Sequence, residues 1–279
     1  MTGEGSFDVE YVTSRRVLLD ALTALGAHRK AVVLVGAQAI YLRVGAGDLA
    51  VAPFTTDADL AIDPRHLDDA PALANLMETA GFQLAVRPGT WALKHDGYQI
   101  DFLVPTALAG AGRRGARLGA HGTDVARKAT GLEAAVVDHS ILRVAALERG
   151  DSRTFDIAVA NVGALLVAKL HKIDERKHVP DRLQDKDALD VLRILRHASI
   201  DNLGQTLGRL AQDPVAGEVT RASRPFLVEL FADRGATGAL MAIRASGGLD
   251  DAATIALSCE VLAKELGRAW RQPDEATVQ

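Results

Sequence analysis

In the segment FTTDADLAIDP, residues 54–64, two aspartates, Asp57 and Asp59, interrupt an otherwise apolar run. The stretch DADLAI reads as a strand that stops at the Asp63-Pro64 turn, and side chains at i and i+2 of a strand point to the same face. The two carboxylates are therefore expected side by side. An ordinary aspartate has a pKa of about 3.9, so near neutral pH they repel unless a cation or a raised pKa relieves them. A divalent metal is the simplest relief.

The surrounding sequence tells how such a strand is delivered. AVVLVG, 31–36, is a short apolar strand closed by glycine, and AQAIYLRV after it is predicted to be helical. SRRVLLDALTALGA, 14–27, places Val17, Leu18, Ala21, Leu22 and Leu25 at helical spacing, with Ser14 as cap and Gly26 near the end. LDDAPALANLMETAG, 67–81, is predicted as a helix with Asp68 or Asp69 as cap, Pro71 in its first turn and Gly81 past its end. TWALKH and YQIDFLV flank Asp96-Gly97, a hairpin signal that puts Asp101 on a strand. Residues 106–131 read as a loop rich in Gly, Ala and Arg, and LEAAVV, SILRVAAL and TFDIAVA read as further short strands. From Asn161 the pattern turns helical, through VGALLVAKLHKIDER, QDKDALDVLRILRHA and DDAATIALSCEVLAKELGRAW. The expected architecture is α/β (α+β): a mixed sheet with helices over residues 1–160, then a helical domain over 161–279, with no internal repeat.

Composition narrows the chemistry. With 279 residues, 48% of them hydrophobic, the chain can bury the core of one large domain or two ordinary ones. A net charge of -4 confines any nucleic-acid contact to a local patch. Arg113, Arg114 and Arg117, with Arg127 and Lys128, form such a cluster, either a solvated loop or a grip for RNA. The sole cysteine, Cys259, excludes an intramolecular disulfide and a multi-cysteine zinc site, and its setting reads as the apolar side of a helix. GAGRRG, 110–115, fits G-x-G-x-x-G, but ARLGAHGTD does not continue as a helix, so the dinucleotide requirement fails. The eight histidines show no ligand spacing. The N-terminus lacks a signal-peptide pattern and no run approaches the ~18 apolar residues of a membrane span, so a soluble cytoplasmic protein is expected.

Neighbouring strands lie about 5 Å apart, so Asp57, Asp59 and Asp101 can meet over one or two Mg²⁺ ions, which favour oxygen ligands and keep waters and substrate phosphates in their shell. Such a pair of metals activates an attacking oxygen and neutralises a leaving pyrophosphate. Lys169, Lys172 and Arg176 fall at i, i+3 and i+7, a cationic strip suited to a triphosphate. Asp187, Asp190 and Ile194 share a face of the next helix, and an aspartate beside a lysine orients it or accepts a proton from an attacking hydroxyl.

LVGAQAIYL, TTDADLAID and IDFLV together resemble the nucleotidyltransferase fold of the polymerase-beta-like superfamily, in which a glycine turn after the first strand precedes a D-x-D strand and a third aspartate. More narrowly, the chain is similar to the AbiEii/AbiGii group of abortive-infection nucleotidyltransferase toxins, where an apolar helix carrying a lysine is followed by a helix with a D-x-x-D-like signature. Here those are LLVAKLHKIDER and KDALDVLRIL. The resemblance spans roughly residues 30–195 and departs at Ala37, where a second glycine or a serine is usual. It implies Mg²⁺-dependent transfer of a nucleoside monophosphate from an NTP to a hydroxyl acceptor. Asp57, Asp59 and Asp101 would be metal ligands, with Asp101 also assisting deprotonation. Lys169 and Asp187 would be the functional pair, with Asp190 beside it, and Gly36 the turn under the phosphates. Thr56, Lys172 and Arg176 would complete the nucleotide contacts, with the helical domain closing the nucleotide cleft. It further implies tRNA as acceptor and a cognate antitoxin as partner; if the acceptor is RNA, the basic loop with Arg113, Arg114 and Arg117, which follows the Asp101 strand, is the candidate contact. The alternatives are an antibiotic-modifying nucleotidyltransferase and a nucleotide-binding interaction protein without turnover.

Overall fold

A computed structural model describes residues 8–45, 49–51, 54–93, 97–179 and 184–270. In chain order it contains α1 (Val9–Leu25), β1 (Val32–Val35), α2 (Gly36–Val44), β2 (Asp57–Ile62), α3 (Leu73–Thr79), β3 (Phe82–Leu84), β4 (Thr90–Leu93), β5 (Gln99–Pro105) and β6 (Arg127–Ala129). There follow α4 (Glu133–Val137), β7 (His139–Ala145), β8 (Thr154–Ala160), α5 (Val162–Arg176), α6 (Asp185–His197), α7 (Ile200–Leu210), α8 (Gly217–Phe231), α9 (Thr237–Ala245) and α10 (Ala252–Ala269). The protein is mixed α/β with a helical C-terminal region. It divides into two compact units: Met1–Ala39 with Ala52–Ala129 and His139–Val159, and Ile40–Val51 with Thr130–Asp138 and Ala160–Gln279. The last passage falls where a boundary near residue 160 is expected, but two earlier segments also belong to the helical unit.

The first unit is built on an eight-stranded mixed sheet in the order β3-β4-β5-β2-β1-β8-β7, with β6 pairing β5 off that path. β1, the sequence VVLV, is buried at every position, as a central strand of β-branched and aliphatic residues should be. It runs antiparallel to β2 and parallel to β8. β2 runs parallel to β5, and β5 is antiparallel to β4. Leu18, Leu22 and Leu25 of α1 are fully buried, as are Leu34, Leu60, Trp91 and Phe102. Each such aliphatic side chain contributes about 1.5–3 kcal/mol relative to exposure.

Several expectations are corrected. α1 starts before Ser14: Asp8 is its cap, accepting from the Glu10 N–H at 2.8 Å, while Ser14 is buried within the helix and donates to the Tyr11 carbonyl. α3 begins at Leu73, after Pro71, and its first N–H donates to His121 Nδ1 at 3.1 Å rather than to an aspartate. Asp68 instead binds Lys30 at 2.8 Å. LEAAVV is helical, not a strand: the Glu133 carboxylate turns back to the Gly131 N–H, and the Asp138 N–H closes on the Ala134 carbonyl. Six residues, five of them apolar, carry no period that separates the two. β6 lies in the segment expected to be loop, held there by parallel pairing of Leu103 with Arg127 and Val104 with Lys128. Of the expected hairpin, β4 and β5 pair antiparallel, and Asp96 lies outside the described residues.

The second unit carries α4 to α10. Amphipathic spacing accounts for its core: Leu203, Leu207 and Leu210 on α7, Leu227, Leu230 and Phe231 on α8, and Ile255, Cys259 and Leu266 on α10 are buried. The Cys259 thiol is pushed up to about 12 by burial, which outweighs the opposing pull of Arg196, so it serves packing. Among the described residues no helix is long and apolar enough to cross a membrane.

Candidate functional site

The acidic edge lies in the first unit. β1 ends at Val35, which faces Asp59 across the antiparallel ladder; on its other side Asp59 faces Asp101 of β5 in parallel register. Asp57, two residues earlier on the same face, pairs with Gln99. Asp57 and Asp59 are half-buried and Asp101 is buried. Straight after Val35 the chain turns at Gly36, whose φ of +69° is left-handed, and enters α2. A Cβ at Gly36 would collide with the Asp59 carboxylate. Conformation and close approach both require glycine there.

Gly36→Ala is expected to cost about 1–3 kcal/mol from backbone strain, and more from the collision. Gly26 offers the control: its φ is +54° and nothing lies within 4 Å of an added Cβ. Chemical denaturation of Gly36→Ala beside Gly26→Ala isolates the carboxylate contribution, and equal losses would show that Asp59 does not crowd the turn.

Each carboxylate has identifiable partners. Thr55 Oγ1 donates to Asp57 Oδ1 at 2.5 Å, and Thr90 Oγ1 donates to Asp101 Oδ1 at 2.7 Å. Arg127 of β6 donates to Asp101 Oδ2 in an ion pair shielded from solvent. Thr56 is exposed beside β2. Among the described residues no three His, Cys, Asp or Glu groups are gathered as a metal cage. Asp57 and Asp59 nevertheless fit Mg²⁺, which is commonly held by one or two carboxylates with waters and phosphates completing its shell. Asp101 would join them beside its bonds to Thr90 and Arg127, because a carboxylate offers about four acceptor sites.

The basic loop is in the same unit. Arg113, Arg114 and Arg117 are exposed, and backbone bonds tie their loop down: the Lys128 N–H of β6 donates to the Arg114 carbonyl, the Ala116 N–H to Ala126 beside β6, and the Arg117 N–H to Ala109. Lys128 Nζ reaches the Gly110 carbonyl. Three guanidinium groups therefore remain at the surface of an ordered loop.

A second charged cluster lies within the helical unit. Lys169 of α5 donates to Asp187 Oδ1 at 2.6 Å and to Asp190 Oδ2 at 2.8 Å, both on α6. Lys172 donates to Asp187 at 3.0 Å, and Arg193 lies 3.4 Å from Asp190 Oδ1. Arg193 also donates to the Val51 carbonyl at 2.6 Å and stacks 5.2 Å from the Tyr41 ring centroid. The side chains of Lys169 and Asp187 are 5% and 2% exposed, that of Lys172 31%. Burial alone would push Lys169 down and Asp187 up. The attraction of Asp187 and Asp190 overrides this and holds Lys169 above its ordinary value; that of Lys169 and Lys172 holds Asp187 below its own. Arg176 closes α5 one turn beyond Lys172, half-buried.

Comparison with protein-family models, curated proteins and solved structures found no match. What these residues do rests on their chemistry.

The structure brings Asp57, Asp59, Asp101 and Gly36 together in one unit, and Lys169, Lys172, Asp187 and Asp190 in the other. Sequence reasoning missed Thr55 and Thr90, which hold the acidic edge, and Arg193, which extends the helical cluster; it placed Arg127 in the basic cluster, whereas the structure pairs it with Asp101. It also missed Gln38, fully buried on α2. The one available signal was a lone polar residue in the apolar run LVGAQAIYL.

Proposed function

We propose that this chain is a Mg²⁺-dependent nucleotidyltransferase that moves a nucleoside monophosphate from an NTP to a hydroxyl acceptor. The observation carrying the reading is the register that sets Asp59 between the end of β1 and Asp101, with Asp57 on its face and the Gly36 turn against its carboxylate. Asp57 and Asp59 would hold the metal, whose chemistry is to bind the triphosphate and neutralise the departing pyrophosphate. Gly36 and Ala37 begin α2, and the N–H groups and dipole of a helix's first turn favour phosphate. Asp101, alongside Asp59, would take the proton of the acceptor hydroxyl or help hold the metal. The bonded Lys169 and Asp187 support the same family reading, which expects them to act as a pair. tRNA as acceptor and an antitoxin as partner follow from that resemblance.

A second reading has its own support. Arg127 and Thr90 already engage Asp101, an arrangement compatible with nucleotide binding without turnover. Incubation with each radiolabelled NTP, Mg²⁺ and total RNA, resolved on a gel, separates the readings. Label on RNA is expected; label on an added aminoglycoside would indicate an antibiotic-modifying enzyme, and binding without label would favour the interaction protein.

The loop assignment has a sharper test. Each phosphate contact to a single strand contributes a log-log salt slope of about -0.7, so replacing Arg113, Arg114 and Arg117 by alanine should flatten the slope by about 2. The KM for RNA should rise while NTP binding stays at the parent level. Unchanged labelling at every salt concentration would make the loop mere solvated surface.

A further inference from the structure

Asp57 stands beyond the last residue pair of β1 and β2, Val35 with Asp59. There a side chain of α2 reaches its backbone. Gln38, the third residue of α2 and fully buried, donates Nε2 to the Asp57 carbonyl at 3.4 Å and to Ser14 Oγ at 3.2 Å. Its Oε1 accepts from Arg15 Nε at 2.9 Å. The amide has one sensible orientation: a guanidinium only donates, so Oε1 must face Arg15 and the NH₂ must face Asp57. Thr55 Oγ1 lies 3.3 Å from the same Asp57 carbonyl.

Arg15 is 3% exposed, and its other partners are the Tyr11 hydroxyl at 2.8 Å and the Ala145 carbonyl at 3.2 Å. All of these acceptors are neutral. A buried charge without a counter-charge is costly, yet this one sits two hydrogen bonds from an edge that carries two carboxylates. We propose that Gln38 and Arg15 are positioning residues for that edge. Gln38 fixes the Asp57 peptide where the ladder ends, and the Arg15 cation, transmitted through the oriented amide, offsets the doubled negative charge until a metal arrives. This rests on the reading of Asp57 and Asp59 as metal ligands.

Mn²⁺ binding to the full chain, followed by electron paramagnetic resonance, separates the two ideas. The parent should bind Mn²⁺ and Asp57→Asn should not; if neither binds, or both bind alike, the metal reading fails and the positioning role falls with it. Gln38→Glu keeps an acceptor for Arg15 but removes the donor to Asp57 and cancels the cation. It should melt like the parent yet bind Mn²⁺ about tenfold more weakly, a loss typical of groups behind metal ligands. Arg15→Met should weaken binding similarly, with Arg15→Lys recovering most of it. Parent-like affinity in Gln38→Glu and Arg15→Met, with Asp57→Asn still unable to bind, would overturn the positioning role alone. Should these variants fail to fold, the parent still gives an answer by nuclear magnetic resonance. The Gln38 side-chain amide signal should move on adding Mg²⁺, and a stationary signal would overturn the proposal.

Discussion

Lys169→Ala is expected to destabilise the helical unit by about 3–5 kcal/mol, the usual cost of removing one partner from a buried ion pair. The side chain is almost inaccessible and bridges two carboxylates on α6, so its loss strands Asp187 and Asp190 with only Lys172 and Arg193 to balance them. Urea unfolding followed by circular dichroism reads the cost. A loss under about 1 kcal/mol, the scale of exposed pairs, would contradict the buried bridge; a lysine kept for phosphate would instead leave the melt intact and reduce NTP affinity. The pH dependence has two limits. Asp187 is held below its ordinary pKa, so its contribution is complete above the unfolded value of about 3.9 and is lost as pH falls below it. Lys169 is held above its ordinary pKa, so its contribution is complete below about 10.4 and is lost as pH climbs through the raised value. Asp187→Asn should therefore flatten the acid limb of the stability profile.

Asp57→Asn and Asp59→Asn are each expected to lower nucleotidyl transfer by at least about 10²–10³-fold, the loss that follows removal of one preorganised electrostatic group. Melting should be unchanged or slightly improved, because the substitution relieves repulsion between neighbouring carboxylates. Asp101→Asn should behave differently. It weakens a shielded ion pair with Arg127, so it should lose stability as well as activity. Parallel melts and label-transfer assays on the three variants check this contrast. Full activity in both Asp57→Asn and Asp59→Asn would remove the proposed site.

The strand-glycine-helix-strand run from β1 to β2 was legible because every step has a local cause: β-branched residues, a left-handed glycine, and alternation along DADLAI. Spacing placed Lys169 with Lys172 on one helical face and Asp187 with Asp190 on another, since residues three or four apart share a face; their pairing was implied by the family resemblance. Periodicity says which face a residue occupies, not which partner it meets. Nothing near Asp101 points to Arg127, 26 positions away, and nothing near Gln38 points to Arg15, 23 positions away. Of the helices after residue 200 only α10 was named from the sequence; these helices carry core spacing without a chemical motif, so nothing in them pointed to a purpose.

The helical unit is not a detachable cassette. It takes in Ile40–Val51 and Thr130–Asp138 from within the first half of the chain. A protein severed at residue 160 would give a C-terminal piece lacking the Tyr41 ring and the Val51 carbonyl that hold Arg193, leaving that guanidinium without its stacking surface and its shortest hydrogen bond. Gene fusion or recombination at that point would therefore part Arg193 from Tyr41 and Val51.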